Sequence, residues 1–569
     1  MFSLTTPLFT SSFNLRLNAR FFEGFLKDDP RMKEAFYPYF NGQLRSEAYH
    51  RPAKYFMSSS KPDFNSIYSF DINCLDKRQF MYYDSTTIRV HGDRHNMAGD
   101  WLVTPPPFLY LMGNKEAKQW VTLGLVVRKG ENNFLEYQYS GGEGFGLNVT
   151  YDGYTKVKKQ WDSPQILLQP CGEDVYGALT TYTNHLMDSG CVTKVDRSQS
   201  PRWWFEPIFG GWGEQVYFSN RWDNYLLNNP AGILGDDTYQ YCTQSAYEKM
   251  LSTLESKGIN PTILIIDNRW FEVTDQLSVD KQTWPTMKDF VQRQHAKGRK
   301  VILWVSPWSY CKSSKSGQDI PLSESMILDE SNSYTLDIDT DVFYEKCGRE
   351  KRKVRRDPAF KTKKITEHDP HWQFVADPLN PAYEDRLRKK IDYLISTDGL
   401  DADGFEFDYT HFLPLHRGFL PLHEHEIVWG AELMKRLLWI YYDQMKKSKS
   451  DALSISHSYN PYFNDVVDML RLQDIYTDRR SIVPEMTHRA YVAKAVCPGC
   501  AIHTDQHAMP SLAHWREYAK HQPLLGNPCL YYVTGIETTK EKLTDSDFEM
   551  LKKIWSEHSK TLDKRFVAK

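Results

Sequence analysis

The segment Asp401-Ala-Asp-Gly-Phe-Glu-Phe-Asp408 reads as a short apolar strand that stops on a carboxylate and runs into polar residues through His411. Met469-Leu-Arg-Leu-Gln-Asp474 has the same form and stops on Asp474. Two carboxyl groups converging from strand ends can cleave an acetal such as a glycoside. One attacks or stabilises the anomeric carbon and the other protonates the departing oxygen. Retention needs a separation of ~5 to 5.5 Å and inversion ~6.5 to 9.5 Å, which spacing in the chain does not fix. While Asp408 is ionised, its charge is expected to hold a proton on Asp474.

Other polar and aromatic residues fall at the ends of neighbouring strand candidates. They are Trp212 and Glu214, Asp267 and Asn268, Trp304 and Trp308, His457 and Asn460, Asp478 beyond Asp474, and His503, Asp505 and His507. Glu406 lies two residues before Asp408, on the same face of a strand. So many carboxylates and aromatic rings, with no phosphate-cradling glycine loop, suit a carbohydrate. A competing reading takes His503, Asp505 and His507, with His457 and Asp408, as ligands for Zn or Mn. No GxSxG elbow or GxGxxG turn follows a strand, so serine-hydrolase and dinucleotide chemistry have no support.

These residues need a frame that brings strand ends together. After residue 200 strands and helices alternate. The strand candidates are EPIFGGW from Glu206, TILIIDN from Thr262, KVILWVS from Lys300, ADGFEFD from Ala402, ALSISHS from Ala452, MLRLQD from Met469, CAIHTD from Cys500 and PCLYYVT from Pro528. Eight βα repeats predict a (β/α)8 TIM barrel over residues 196–569, with functional groups at the C-terminal ends of its strands. Residues 308–371 are too long for a ~2 to 6 residue βα loop and read as an insertion after strand 3. The insertion carries a basic run at 346–364, a solvated loop or an anion-recognising lid. Before residue 195 short alternating runs separated by turns predict an antiparallel β-sandwich, closed by a helix near residues 172–189. The whole is an α/β protein of two domains.

The chain has 70 basic and 73 acidic residues among 569, a net charge of -3 that favours neither nucleic acid nor a membrane surface as partner. No window of ~18 uncharged apolar residues is present, so no spanning helix is expected. The N-terminus lacks a basic region followed by a continuous apolar one, and nine scattered Cys make no disulfide framework. A cytoplasmic location is expected. Cys497-Pro-Gly-Cys500 reads as a turn between a helix and a strand rather than a redox or zinc pair. No cofactor is expected, the partner is a small carbohydrate or glycoside, and self-association into a homo-oligomer stays open.

The motifs Glu206-Pro-Ile-Phe-Gly-Gly-Trp-Gly-Glu214, Ile266-Asp-Asn-Arg-Trp-Phe271, Asp403-Gly-Phe-Glu-Phe-Asp408 and Arg471-Leu-Gln-Asp474 resemble those of the melibiase-type α-galactosidases, glycoside hydrolase family 36. They also resemble the related α-glucosidases and α-xylosidases of family 31. The resemblance implies a retaining α-glycosidase with Asp408 as nucleophile, Asp474 as acid/base, and Trp212, Asp267 and Asn268 at the sugar. Three departures stand out. Glu406 occupies the place of a lysine in the galactosidases, Asp267-Asn268 replaces a paired Asp-Asp, and the usual C-terminal β-domain is not expected after the eighth helix. Galactose is therefore not implied. Transfer to a sugar acceptor, as in raffinose synthases, and a binding protein without turnover are the alternatives.

Overall fold

The computed structural model describes residues 2–3, 8–17, 67–69, 87–89, 107–114, 119–132, 136–140, 145–157, 160–161, 163–171, 175–219, 237–272, 275–308, 320–321, 324–328, 374–408, 410, 419–421, 428, 430–475 and 482–567. From residue 208 onward, parallel strands form one sheet: β1 (Ile208–Gly210), β2 (Ile263–Ile266), β3 (Lys300–Val305), β4 (Gly404–Phe407), β5 (Leu453–Ser456), β6 (Met469–Arg471), β7 (Ala501–His503) and β8 (Cys529–Leu530). Each pairs in parallel with its neighbour in chain order, and β8 pairs with β1. A parallel bridge between His503 and Asn527 joins β7 to the residues entering β8. The sheet thus returns on itself as a barrel, and each predicted strand lies within its proposed segment.

Residues of these strands are buried on both faces, which a parallel sheet covered by helices requires. On β4 the rings of Phe405 and Phe407 meet Tyr441 of the covering helix, with centroids 5.9 and 5.2 Å away. The two-residue period then sends Glu406 and Asp408 into the barrel. Gly404 begins the strand at φ +151, where a Cβ would lie 2.0 Å from the Leu453 carbonyl. A glycine is the residue that lets β4 approach β5 so closely.

Around the barrel lie α1 (Val175–Asp188), α2 (Trp212–Phe218), α3 (Gln244–Ser256), α4 (Met287–Ala296), α5 (Pro381–Ile395), α6 (Gly430–Ser448), α7 (Ile482–Val496), α8 (Leu512–Leu525) and α9 (Asp545–Val567). One expectation fails here. Between β5 and β6 there is a single 3-10 turn, Pro461–Phe463, in place of a helix. Asn460 closes that turn, its side chain accepting from the Tyr462 N–H at 2.9 Å, so it is occupied by the backbone rather than by a pocket.

The lower end of β4 carries a charge cluster. Asp403 accepts from His295 Nε2 at 2.7 Å and from the Val301 N–H at 2.8 Å, and lies 3.2 Å from both Lys300 and Lys449. Lys449 also holds Asp401 at 2.7 Å. Burial works against the Asp403 charge, but His295, Lys449 and Lys300 outweigh it and keep the carboxyl below the usual range.

Before the barrel, two four-stranded antiparallel sheets are described. One has the order 165–171, 119–126, 109–114, 67–69 and the other 8–17, 145–157, 136–140, 87–89. Of the insertion after β3, Ser325–Leu328 pairs antiparallel with Phe374–Ala376 and with Phe419–Pro421, which follows β4. Arg386 on α5 grips Glu324 with two hydrogen bonds of 3.0 and 2.8 Å, anchoring the described part of that insertion. The basic run 346–364 lies outside the described residues. No described helix is long and apolar enough to cross a membrane.

Candidate active site

The C-terminal ends of β4 and β6 converge on one side chain that the sequence reading quoted without assigning it a role. Arg471, the last residue of β6, is buried, and its guanidinium lies among four carboxyl groups. Its Nε donates to Asp505 Oδ2 at 2.5 Å and a terminal nitrogen donates to Asp474 Oδ1 at 2.7 Å. Asp408 Oδ2 lies 3.6 Å from the other terminal nitrogen, and Glu406 Oε1 lies 3.7 Å from Nε. Burial opposes the arginine charge, but Asp505, Tyr531, Glu406 and Asp474 outweigh it and raise its pKa further. A planar fork is the cation that can address several carboxylates at fixed angles. Its sequence signal was an arginine inside an apolar strand, a place that needs partners.

Asp408 has further neighbours. Trp304 on β3 donates its indole N–H to Asp408 Oδ2 at 3.3 Å, and His457 Nε2 at the end of β5 lies 3.3 Å from Oδ1. The Asp408 backbone N–H donates to the Val305 carbonyl at 3.0 Å, extending the β3–β4 register by one residue. Asp408 keeps 16% of its side-chain surface exposed and Asp474 keeps 14%, so both are open to a ligand from the mouth.

Asp474 is raised above the ordinary carboxyl range, and the cause corrects the sequence expectation. Burial is the largest influence; His507 and Arg471 pull it down, and Asp505 and then Asp408 push it up. The charge of Asp408 contributes without dominating. Glu406 is buried and pushed well above its usual value by burial first, with Arg471 opposing and Asp267, Asp408 and Asp505 reinforcing. Burial thus favours the neutral acid over the anion in the barrel floor. Asp267, at the end of β2, is raised to about 7 by burial, and the Asn268 N–H donating to its Oδ1 at 2.7 Å works the other way.

Other expected residues divide into those facing the site and those tying its walls. Trp212 lies with its ring edge-on to His507 at 5.9 Å and tilted against Tyr239 at 6.1 Å. Gly211 before it leaves room for Tyr247, whose hydroxyl a Cβ would meet at 2.1 Å. That hydroxyl accepts the Asp267 N–H at 2.9 Å, so the glycine pair after β1 serves the end of β2. His503 is buried, and burial lowers its pKa to about 3, so it is neutral. Its Nδ1 accepts the Asp505 N–H at 3.0 Å. For Asp505, Arg471 and the His507 N–H overcome burial and hold the carboxyl below its usual value.

Two residues expected at the sugar are placed as structural ties. Glu214 is buried and accepts from the Val533 N–H at 2.7 Å, the Thr534 N–H at 2.9 Å and the Thr534 hydroxyl, so its oxygens secure the segment after β8. Trp308 is buried and donates to the Thr410 carbonyl at 3.0 Å, linking the chain beyond β3 to that beyond β4. Asp478 and His411 lie outside the described residues. Of the five residues in the metal reading, Asp505 is taken by Arg471 and His503 Nδ1 by a backbone N–H. Among the described residues no group of His, Cys, Asp and Glu is arranged to hold a metal. Cys497-Pro-Gly-Cys500 is the expected turn, between α7 and β7.

The loops themselves are held under strain. Arg269, Gln473 and Asp505 have φ of 86, 70 and 51, in the left-handed region, and lie beside Asn268, beside Asp474 and within the site. Arg489 of α7 opposes that strain at β6. One of its terminal nitrogens donates to the carbonyls of Leu472, Gln473 and Asp474 at 2.7, 2.8 and 2.9 Å.

The family model for the glycosyl hydrolases family 31 TIM-barrel domain matches residues 231–426, which include β2 to β4 and Asp408. No curated protein matches the chain. Among solved structures, the cycloalternan-degrading enzyme from Trueperella pyogenes superposes with a TM-score of 0.53 at 11% identity, over 85% of this chain and 64% of that one. Its complex with isomaltose gives 0.52 at 11% identity over 84% and 63%. The chain therefore spans less than two thirds of those structures, and the likeness is one of fold.

Proposed function

We propose that this chain is a glycosidase that hydrolyses terminal α-linked sugars with retention, by a double displacement between Asp408 and Asp474. The observation that carries the reading is the single buried guanidinium of Arg471, which holds Asp474 and lies beside Asp408 at the ends of two strands flanking β5. The family 31 barrel match over residues 231–426 supports a glycosidase acting on O-glycosyl bonds. The chain is read as two domains, an antiparallel sandwich through residue 195 and the barrel from 196 to 569.

In the first step a carboxylate oxygen of Asp408 forms a bond to the anomeric carbon as the glycosidic C–O bond breaks, and Asp474 gives its proton to the departing oxygen. Trp304 and His457 fix the direction of the attacking oxygen. Burial keeps Asp474 protonated for this step. Esterification then removes the Asp408 charge, one of the influences raising Asp474, and the deprotonated Asp474 takes a proton from the incoming water. Trp212, Asp267 and Asn268 form the wall for the sugar. Glu406, neutral at the floor, offers a hydrogen bond rather than a charge.

The test is Asp408→Gly assayed on activated aryl α-glycosides, with azide as an external nucleophile. The substrate panel is galactoside, glucoside, xyloside and isomaltose, the last being the sugar bound in one of the similar structures. Loss of hydrolysis with recovery of a β-glycosyl azide is expected. A fully active variant, or a first product of inverted anomeric configuration from the unaltered enzyme, rejects the mechanism.

A further inference from the structure

One buried titratable pair is unused by this mechanism. Glu537, beyond β8, is fully buried and its Oε1 lies 3.1 Å from His507 Nδ1. The Tyr532 hydroxyl, which donates to the Gln506 carbonyl at 2.7 Å, lies beside the same carboxyl. His507 is itself buried and is tied to the acid/base carboxyl by two routes. Its carbonyl accepts the N–H of Ile475, the residue after Asp474. Its own N–H donates at 2.9 Å to Asp505, which grips Arg471, which in turn grips Asp474.

We propose that Glu537 and His507 are a positioning pair for the acid/base step, with Glu537 fixing the orientation and charge of an imidazole that acts on Asp474. The assignment rests on the glycosidase reading above for the role of Asp474. A carboxylate facing Nδ1 keeps a proton on that nitrogen in either charge state, so protonation at Nε2 decides whether the ring is a cation. An anionic Glu537 favours the cation. The groups that share this field are Arg471 on β6, Asp474 beyond it, Asp505 beyond β7, Asp267 after β2, Asp408 after β4 and Glu214 on α2. Of these, Asp474, Asp267 and Asp505 are each drawn down by His507, and Glu214 is pushed up by Glu537. When the imidazole is a cation it opposes burial at Asp474 and keeps the proton transferable.

Glu537→Gln preserves shape and an acceptor for Nδ1–H while removing the charge. The His507 cation weakens, Asp474 holds its proton to higher pH, and the basic limb of kcat/KM on an aryl α-glycoside moves up by about one pH unit. Glu537→Asp, which restores the charge, leaves the limb near its original place. An unmoved limb in Glu537→Gln, or a loss equal at every pH, overturns the assignment. A second readout needs no turnover, namely the pH titration of His507 in protein labelled with 15N-histidine. Its midpoint is expected to fall in Glu537→Gln, and identical titrations overturn the proposal. A protein inactive on every α-glycoside but showing that fall would reject the glycosidase reading and leave the charge coupling in place.

Discussion

The two ends of β4 solve opposite electrostatic problems with the same residue types. At the lower end Asp401 and Asp403 meet Lys300, Lys449 and His295, and the Asp403 carboxyl is held in its charged form. At the upper end the Arg471 guanidinium lies among Glu406, Asp408, Asp474 and Asp505, and two of these carboxyls are pushed toward their neutral form. Matched charge makes the lower end a source of stability. Unmatched carboxyls make the upper end costly to fold and chemically useful, as expected where perturbed acids cluster at barrel mouths.

Changes at Arg471 should have the largest effect. Arg471→Lys keeps the charge but loses the fork, and a point cation cannot hold Asp474 and Asp505 while facing Asp408. A fall in kcat/KM on the order of 10^3-fold is expected on an aryl α-glycoside. Activity near that of the unaltered protein would remove the guanidinium from the centre of the comparison. Next comes the lower end, where Asp403→Asn leaves lysines beside a neutral amide. Urea unfolding should show a loss of about 3 kcal/mol, with kcat/KM nearly unchanged. If activity collapses and stability holds, the two ends do not divide as described.

The smallest effect is expected at Asp267. Its pKa of about 7 in the fold lies above the value near 3.9 of an unfolded aspartate, so the native chain keeps this proton after the unfolded chain has lost it. Its contribution to unfolding free energy therefore falls as pH rises from about 4 to about 7. Asp267→Asn should remove that decline, gaining on the order of 2 kcal/mol relative to the unaltered protein between pH 5.5 and pH 8 in paired melts. Two stability curves that run parallel across this range would show that Asp267 is not held protonated.

The barrel was legible because each strand is a short apolar run stopping on polar residues, a local pattern that survives without knowledge of neighbours. The positions of Asp408 and Asp474 beyond strand ends were legible for the same reason. The hydrogen bonds of Glu214 and Trp308 and the burial of Glu406 were not legible, because they depend on partners distant in the chain. Glu214 answers to Thr534, and Glu406 is pushed toward its neutral form because the barrel closes over it. The missing helix after β5 was hidden because the intervening residues 457–468 look like any loop. Arg471 was visible in the chain, but its meaning required Asp505 to arrive from β7.

Arg489 gives the separation of the two carboxyls a mechanical origin. Asp408 is fixed to the sheet by its N–H bond to Val305, whereas the carbonyls of Leu472, Gln473 and Asp474 hang on a side chain of α7. On the proposed mechanism the gap between Asp408 and Asp474 decides the stereochemical outcome, and it spans an outer helix and the inner barrel. A substitution on the packed face of α7 that shifts the helix by a fraction of an ångström would be read out at the anomeric carbon.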